Sequence, residues 1–274
     1  MNSYYSFVND QFVPASNARL NITDMAIQRG YGIFDFFKFI NHQLIFIDDH
    51  LARLEKSAEA MRLTLPYTRE EIINILKELI AKNDSPNGGI RVGVTAGYAP
   101  DGYSIVAPNF IITQQAITIA DTIATPVSLM LHQHQRQLPH VKTIDYLMAV
   151  WLQPVIKQSG ADEVLYHNNY SITECPRANF FIVDQNDTII TPQKNILAGI
   201  TRKKIIAIAE KEFNIEIRDI KPAEAYAAKE AFISSSTLNI KPVKAIDGNI
   251  INNGNAGNIT TQLFNKLTAL IKAV

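Results

Sequence analysis

Cysteine is nearly absent: the 274-residue chain holds one, Cys175. A single thiol excludes an intrachain disulfide framework and agrees with a reducing compartment. No uninterrupted apolar run approaches the length of a membrane span. No block of like charge stands out either. Basic and acidic residues balance at 26 each, which removes the electrostatic argument for a nucleic-acid or membrane-surface partner. Internal repeats and low-complexity tracts are missing. The amino terminus lacks a charged segment followed by an apolar one, so a cytoplasmic location is the expectation. What is present is apolar residue in quantity, 47% of the chain, enough for one large or two modest folded domains.

The patterning favours two. Ser6–Val8 and Gln11–Val13 flank Asn9-Asp10 as a tight hairpin, and Ile33–Ile40 returns through Asn41-His42-Gln43 to Leu44–Ile47. Asp48 is the expected cap of a helix in which Leu51, Leu54, Ala58 and Met61 recur at helical spacing and leave Arg53 off the stripe. Thr68-Arg69-Glu70-Glu71 has capping-box spacing and opens a second amphipathic helix. Strand-like runs follow at Gly89–Ala96 and Asn109–Thr113. These elements make a small α+β domain, residues 1–115, ahead of a linker over 116–126. Across 127–274, helices (Ile144–Lys157, Ile200–Phe213, Ile259–Ala273) alternate with strands (Val127–Leu131, Glu163–Tyr166, Ile215–Arg218, Ala231–Ser234, Val243–Ile246). The fold class is α/β, in the two-domain α+β sense.

The chemistry concentrates in Tyr170–Arg202. Tyr170–Thr173 is β-prone and delivers the carboxylate of Glu174. Asn179–Val183 and Thr188–Thr191 form a hairpin over the turn Asp184-Gln185-Asn186-Asp187. Leu197-Ala198-Gly199-Ile200-Thr201-Arg202 runs from a glycine turn into a helix, whose first amide groups have no intrahelical acceptor and suit an anion. Upstream, Lys142 offers an amine. Amine, carboxylate and anion cup, in that order, suit pyridoxal 5′-phosphate: they match its aldehyde, its ring nitrogen and its phosphate. His132, His134 and His140 lack an acid or cysteine at metal-ligand spacing, so no metal site is expected. Cys175 has no base partner and is expected to be a packed thiol.

The pieces RGYGIFDFF (29–37), HLARLEKSAEAMRL (50–63), VKTIDYL (141–147), ITECPRANFF (172–181), LAGITR (197–202) and SSSTLNIKPV (234–243) are collinear with one family. On them the chain resembles the class IV aminotransferases, the fold-type IV pyridoxal-phosphate enzymes that include D-amino-acid and branched-chain transaminases and 4-amino-4-deoxychorismate lyases. The resemblance implies that fold-type IV architecture, with Lys142 as the Schiff-base lysine that also shuttles the substrate proton. It implies that Glu174 faces the pyridine nitrogen and Leu197 packs beneath the ring. Gly199, Ile200, Thr201, Ser236, Thr237 and Arg53 would hold the phosphate. Phe34 would lie on the substrate side, and the enzyme would be a homodimer whose pockets are completed by the 29–35 region of the neighbouring chain.

Departures from the family carry information too. Asp101 and Tyr103 stand where D-alanine transaminases have a carboxylate-binding arginine and histidine, so the substrate carboxylates need other cations. Arg177, Arg29 and Arg91 are the candidates, taken in that order, because arginine forms bidentate contacts with carboxylates. The expected activity is transfer of the amino group of a small D-amino acid to a 2-oxo acid. Aminodeoxychorismate lyase is the alternative, and Asp101 counts against it because an arginine is common at that place in the lyase.

Overall fold

The computed structural model describes residues 4–274; Met1, Asn2 and Ser3, part of the first sequence-defined domain, lie outside the described residues. Two compact units are present. The first comprises the described residues up to Ile119 together with Val141–Asp145, and the second comprises Ala120–His140 and Tyr146–Val274. The five residues around Lys142 therefore belong to the first unit, although the chain reaches them only after entering the second.

In the first unit, the strands are β1 (Tyr5–Val8), β2 (Gln11–Pro14), β3 (Gly32–Ile40), β4 (Gln43–Leu44), β5 (Gly88–Thr95) and β6 (Asn109–Gln115), with helices α1 (Met25–Arg29), α2 (Ile47–Ala60) and α3 (Arg69–Lys82). The strands make a six-stranded sheet in the order β2-β1-β6-β5-β3-β4, antiparallel throughout. Side chains alternate across a strand. Ile33, Phe37 and Phe39 of β3 accordingly join Leu51, Leu54 and Ala58 of α2 and Leu76 and Leu79 of α3 in one buried core. The α3 capping box forms as its spacing predicts, with the Thr68 amide donating to Glu71 and the Glu71 amide to the Thr68 hydroxyl. Helix α2 differs. It begins after Phe46, a left-handed residue, and Asp48 sits in the first turn instead of capping it. There its charge still complements the helix dipole. The Leu44–Ile47 run is likewise shorter as a strand than its apolar pattern suggests, because Ile47 already opens α2.

In the second unit, β7 (Val127–Gln133), α4 (Leu147–Trp151), α5 (Gln153–Ser159), β8 (Glu163–His167), β9 (Glu174–Cys175), β10 (Ala178–Val183), β11 (Ile189–Thr191), α6 (Ile200–Glu212), β12 (Ile215–Ile217), α7 (Pro222–Tyr226), β13 (Glu230–Ser235), β14 (Asn239–Ile246), β15 (Asn249–Ile250) and α8 (Asn258–Lys272) follow in order. The main path of the sheet is β12-β11-β10-β13-β14-β7-β8, with β9 added beside β10 and β15 beside β14. One face buries Leu165, Phe180, Ile182, Ile233 and Val243. The helix expected from Ile144 is broken in two, and its first residues are not helical. Their backbone is claimed by β3: Ile144 N–H donates to the Gly32 carbonyl and Phe34 N–H to the Lys142 carbonyl. A tertiary hydrogen-bond partner outweighs helical periodicity there. No helix of the described residues is long and apolar enough to cross a membrane.

Candidate active site

In the first unit the arrangement starts from an open strand edge. β4 pairs only with the far end of β3, at Phe39 and Ile40. Among the described residues the near end, Gly32–Phe34, has no strand on that side, and Ile33 takes Thr143 as an antiparallel bridge instead. Gly32 permits the approach, since a Cβ there would lie 2.9 Å from the Val94 carbonyl oxygen and 3.2 Å from the Ile144 side chain. Lys142 is thereby fixed at its backbone, with its amide also directed at the Ser57 hydroxyl at 3.3 Å. Its Nζ lies 4.6 Å from the centroid of the Phe34 ring. The Arg91 guanidinium lies over the same ring at 3.7 Å. An amine and a guanidinium thus share one aromatic platform.

The opposite face of β3 carries Asp35, which is 1% exposed. Arg53 grips its carboxylate from two sides, Nε to Oδ2 at 2.7 Å and Nη2 to Oδ1 at 2.8 Å. His50 Nδ1 sits 2.7 Å from Oδ1. Burial alone would raise the Asp35 pKa, but the Arg53 charge and the hydrogen bonds from Arg53 and His50 overcome it and hold the carboxyl well below the usual range. Burial pushes the His50 pKa down against the pull of Asp35. Arg53, predicted to reach away from the apolar stripe, does so, and Asp35 fixes the direction in which its guanidinium points.

In the second unit β9 and β10 form a hairpin over Pro176 and Arg177, with Glu174 directly opposite Asn179. Asn179 in turn stands opposite Ser234. Directly paired residues share a face, so acid, amide and hydroxyl form one row across three strands. Glu174 is 4% exposed. Its Oε1 accepts from Arg136 Nε at 2.9 Å, and its Oε2 accepts from the Leu197 amide at 2.9 Å and from Asn179 Nδ2 at 3.4 Å. Arg136 also donates to the Pro139 carbonyl, in the segment leading to Lys142. Arg136 carried no sequence signal, because one arginine among glutamines and histidines is ordinary; only the fold shows that it grips the acid.

Helix α6 begins at Ile200 with Gly199 at its cap position and no side-chain cap. Its first-turn amides, those of Ile200 and Thr201 among them, have no intrahelical acceptor. Arg202 moors the helix start by donating to Thr191 Oγ1 and the Pro192 carbonyl. A Cβ on Gly199 would collide with Asn179 Oδ1, so only glycine lets the loop lie this close to the strand. The loop Ser235–Leu238 is turned by the Ser235 hydroxyl, which contacts Thr237 Oγ1 and accepts from the Leu238 amide. Ser236 is half-buried and Thr237 exposed. Ser234 Oγ is buried without a hydrogen-bond partner among the described residues. An orphaned buried hydroxyl and a helix start without a side-chain cap fit a polar group held at this spot.

The arginines separate cleanly. Arg177, expected to share a wall with Glu174, sits at the hairpin tip with its side chain 75% exposed and paired to Glu163. A two-residue turn points its side chains outward, and the structure does not bring Arg177 to the acid. Arg29 is exposed at the end of α1, donating to the Gln28 carbonyl, with its Nη2 3.8 Å from where a Gly102 Cβ would stand. Arg91 alone of the three shares the Phe34 ring with Lys142.

Comparison with known proteins gives the family. The family model for amino-transferase class IV matches residues 32–246. The chain belongs to the class IV aminotransferase family. It is a pyridoxal-phosphate-dependent aminotransferase. It is 28% identical over 276 residues to the D-alanine aminotransferase of Staphylococcus haemolyticus, an alignment that spans 95% of this chain and 96% of the relative. Among solved structures, the branched-chain amino acid aminotransferase of Escherichia coli superposes with a TM-score of 0.91 at 21% identity, covering 98% of this chain and 95% of that one. The T.th. branched-chain amino acid aminotransferase, solved with pyridoxamine 5′-phosphate, gives 0.91 at 20% identity, covering 99% and 95%. These structural likenesses show the fold.

Proposed function

We propose that this aminotransferase moves the amino group of a small D-amino acid to a 2-oxo acid, and that Arg91 holds the substrate carboxylate. The observation that carries the reading is that the Lys142 amine and the Arg91 guanidinium both lie against the ring of Phe34. Bound pyridoxal phosphate supplies an aldehyde that captures the amino group and a ring that accepts the electron pair of the broken Cα–H bond.

The chain's own residues do the rest. Lys142 carries the cofactor and moves the proton at Cα. Glu174 accepts the ring N–H and keeps that nitrogen protonated. The phosphate is held by the amides at the start of α6, Gly199, Ile200 and Thr201, by Ser236 and Thr237, and by Arg53, whose direction Asp35 sets. Leu197 supplies the apolar floor, and Phe34 keeps water from the proton being moved. Arg91 would pair with the carboxylate and Arg29 with a second one, so D-glutamate is favoured over D-alanine. The D configuration is supported by the curated relatives, which are D-alanine aminotransferases.

Asp101 supports the transaminase over the lyase. Its carboxylate closes its own turn, accepting from the Ser104 and Tyr103 amides and the Ser104 hydroxyl. Those bonds, from Ser104 first, lower its pKa to about 2. An anion stands where the lyase reading calls for a cation. Purified protein assayed against D-glutamate, D-alanine, L-glutamate, L-leucine and aminodeoxychorismate, with pyruvate and 2-oxoglutarate as acceptors, tests the proposal. Amino transfer from the D-amino acids is expected. Turnover confined to L-leucine, or pyruvate release from aminodeoxychorismate alone, defeats it.

The same reading includes a homodimer. On α4, Leu147, Val150 and Trp151 are 78, 64 and 63% exposed, and their i, i+3, i+4 spacing puts them on one face. A contiguous apolar face of this kind calls for a cover, and a second copy supplies a symmetric one. Sedimentation analysis should give twice the chain mass, and Leu147→Glu with Trp151→Glu should shift it to monomer. A fully active monomer in the unaltered protein rules the dimer out.

A further inference from the structure

The Asn179 amide sits where three things meet. Its Nδ2 donates to the Leu197 carbonyl at 2.8 Å and reaches Glu174 Oε2 at 3.4 Å. The Leu197 amide donates to that same Oε2 at 2.9 Å. Its Oδ1 occupies the space that a Gly199 Cβ would need. Asn179 is 5% exposed and Glu174 4%, so their contact is shielded from bulk water, and an amide lost here removes a donor from a buried carboxylate. The loop from Leu197 to Gly199 leads directly into α6. One side chain therefore ties the acid on β9 to the loop that sets the helix start.

We infer that Asn179 is a positioning residue: it holds the Glu174 carboxylate and the Leu197–Gly199 loop in one register, so that the ring nitrogen and the phosphate of the cofactor are met at a fixed separation. This rests on the reading above that Glu174 serves the nitrogen and the α6 start the phosphate. The physical reason is geometric. A rigid cofactor makes both contacts at full strength only if acid and cup keep their spacing, and a carboxylate free to rotate loses the one that matters. Hydrogen-bonded neighbours on strand and loop enforce that spacing better than packing does, because a hydrogen bond is directional.

The test uses the loaded enzyme and its apo form. Asn179→Leu keeps the volume and removes both hydrogen bonds. Gly199→Ala leaves the amide in place but pushes it aside from the loop side. Glu174→Gln serves as the reference for a lost ring acid. With ¹⁵N-labelled pyridoxal phosphate, the ring-nitrogen signal in Asn179→Leu and Gly199→Ala is expected to move in the same direction as in Glu174→Gln, toward the unprotonated form, and the ³¹P signal of the phosphate to move as well. The dissociation constant for pyridoxal phosphate, measured by equilibrium dialysis, should rise about ten- to a hundredfold, the equivalent of one hydrogen bond to a charged group. The substituted chains should lose kcat with little change in KM for the amino donor. If Asn179 only packs the sheet, apo melting falls while the ¹⁵N and ³¹P signals of the loaded protein stay at the unaltered positions, and the inference is overturned. Should Asn179→Leu fail to fold, Gly199→Ala decides by the ¹⁵N signal alone, since Gly199 itself borders the phosphate. If Glu174→Gln itself leaves the ¹⁵N signal unmoved, the acid assignment fails and the role inferred for Asn179 falls with it. An unmoved signal in the Asn179 and Gly199 variants alone, with Glu174→Gln shifted, counts against Asn179 only.

Discussion

Lys142→Ala is expected to lower amino transfer by at least about 10⁴-fold, since one substitution removes the general acid–base group and the amine that anchors the cofactor. The loss should fall on kcat more than on KM, because the residue acts on the proton being transferred and leaves the carboxylate contacts in place. Lys142→Arg is expected to fail equally. A guanidinium keeps the charge over the Phe34 ring but is not deprotonated in the working range and cannot act as the amine. Borohydride reduction of the unaltered protein followed by peptide mapping should place the pyridoxyl group on Lys142. Finding it on another lysine would end the assignment. The backbone of the variant should be unperturbed, since the anchoring bonds run from the Phe34 amide to the Lys142 carbonyl and from the Lys142 amide to the Ser57 hydroxyl, and none uses the side chain.

Arg91→Leu carries the second large effect. It should cost about 2 to 5 kcal/mol of transition-state binding, the range for truncating one member of a hydrogen-bonded charge pair. In kcat/KM for D-glutamate this is a fall of roughly 30- to 5,000-fold. Arg177→Leu should change kcat/KM by less than about twofold, because the Arg177 side chain is exposed where it pairs with Glu163, and ion pairs at the surface contribute little. Steady-state kinetics with D-glutamate and D-alanine in both variants decides between the two arginines. A large loss in Arg177→Leu with Arg91→Leu unaffected would reverse the assignment. Arg91→Lys should recover only part of the activity, since an ammonium lacks the planar fork that meets both carboxylate oxygens.

Arg91 also shows where sequence reading loses resolution. As a residue it is one arginine in an apolar strand, and Arg177, three positions from Glu174, looks nearer the chemistry. Distance along the chain misleads here because a two-residue turn lies between Glu174 and Asn179. Pro176 and Arg177 occupy the tip, where a side chain faces solvent. The same turn could have been used in the other direction. Counting back from Pro176-Arg177 sets Cys175 opposite Ala178 and Glu174 opposite Asn179, so the Asn179 contact was accessible to register arithmetic. Arg136 was not accessible in that way, because nothing local links an arginine after β7 to a carboxylate on β9.

The sequence by itself determined the elements whose causes are local. The capping box of α3, the hairpins at Asn9-Asp10 and Asp184–Asp187, and the helix start after Gly199 follow from residue types at fixed spacing, and the order of amine, acid and anion cup is already the order of the chain. Tertiary structure alone decided the rest. Ile144 and its neighbours have helical periodicity, yet the open edge of β3 supplies hydrogen-bond partners that a helix start does not, so Lys142 is held in an extended bridge beside Phe34. Asp48 was available as a cap, but the left-handed turn at Phe46 already began the helix. Which arginine shares the Phe34 ring with Lys142, which one grips Glu174, and which buried hydroxyls are left without a partner among the described residues depend on contacts distant in sequence. Such contacts form only when the chain closes on itself, and no window of neighbouring residues contains them.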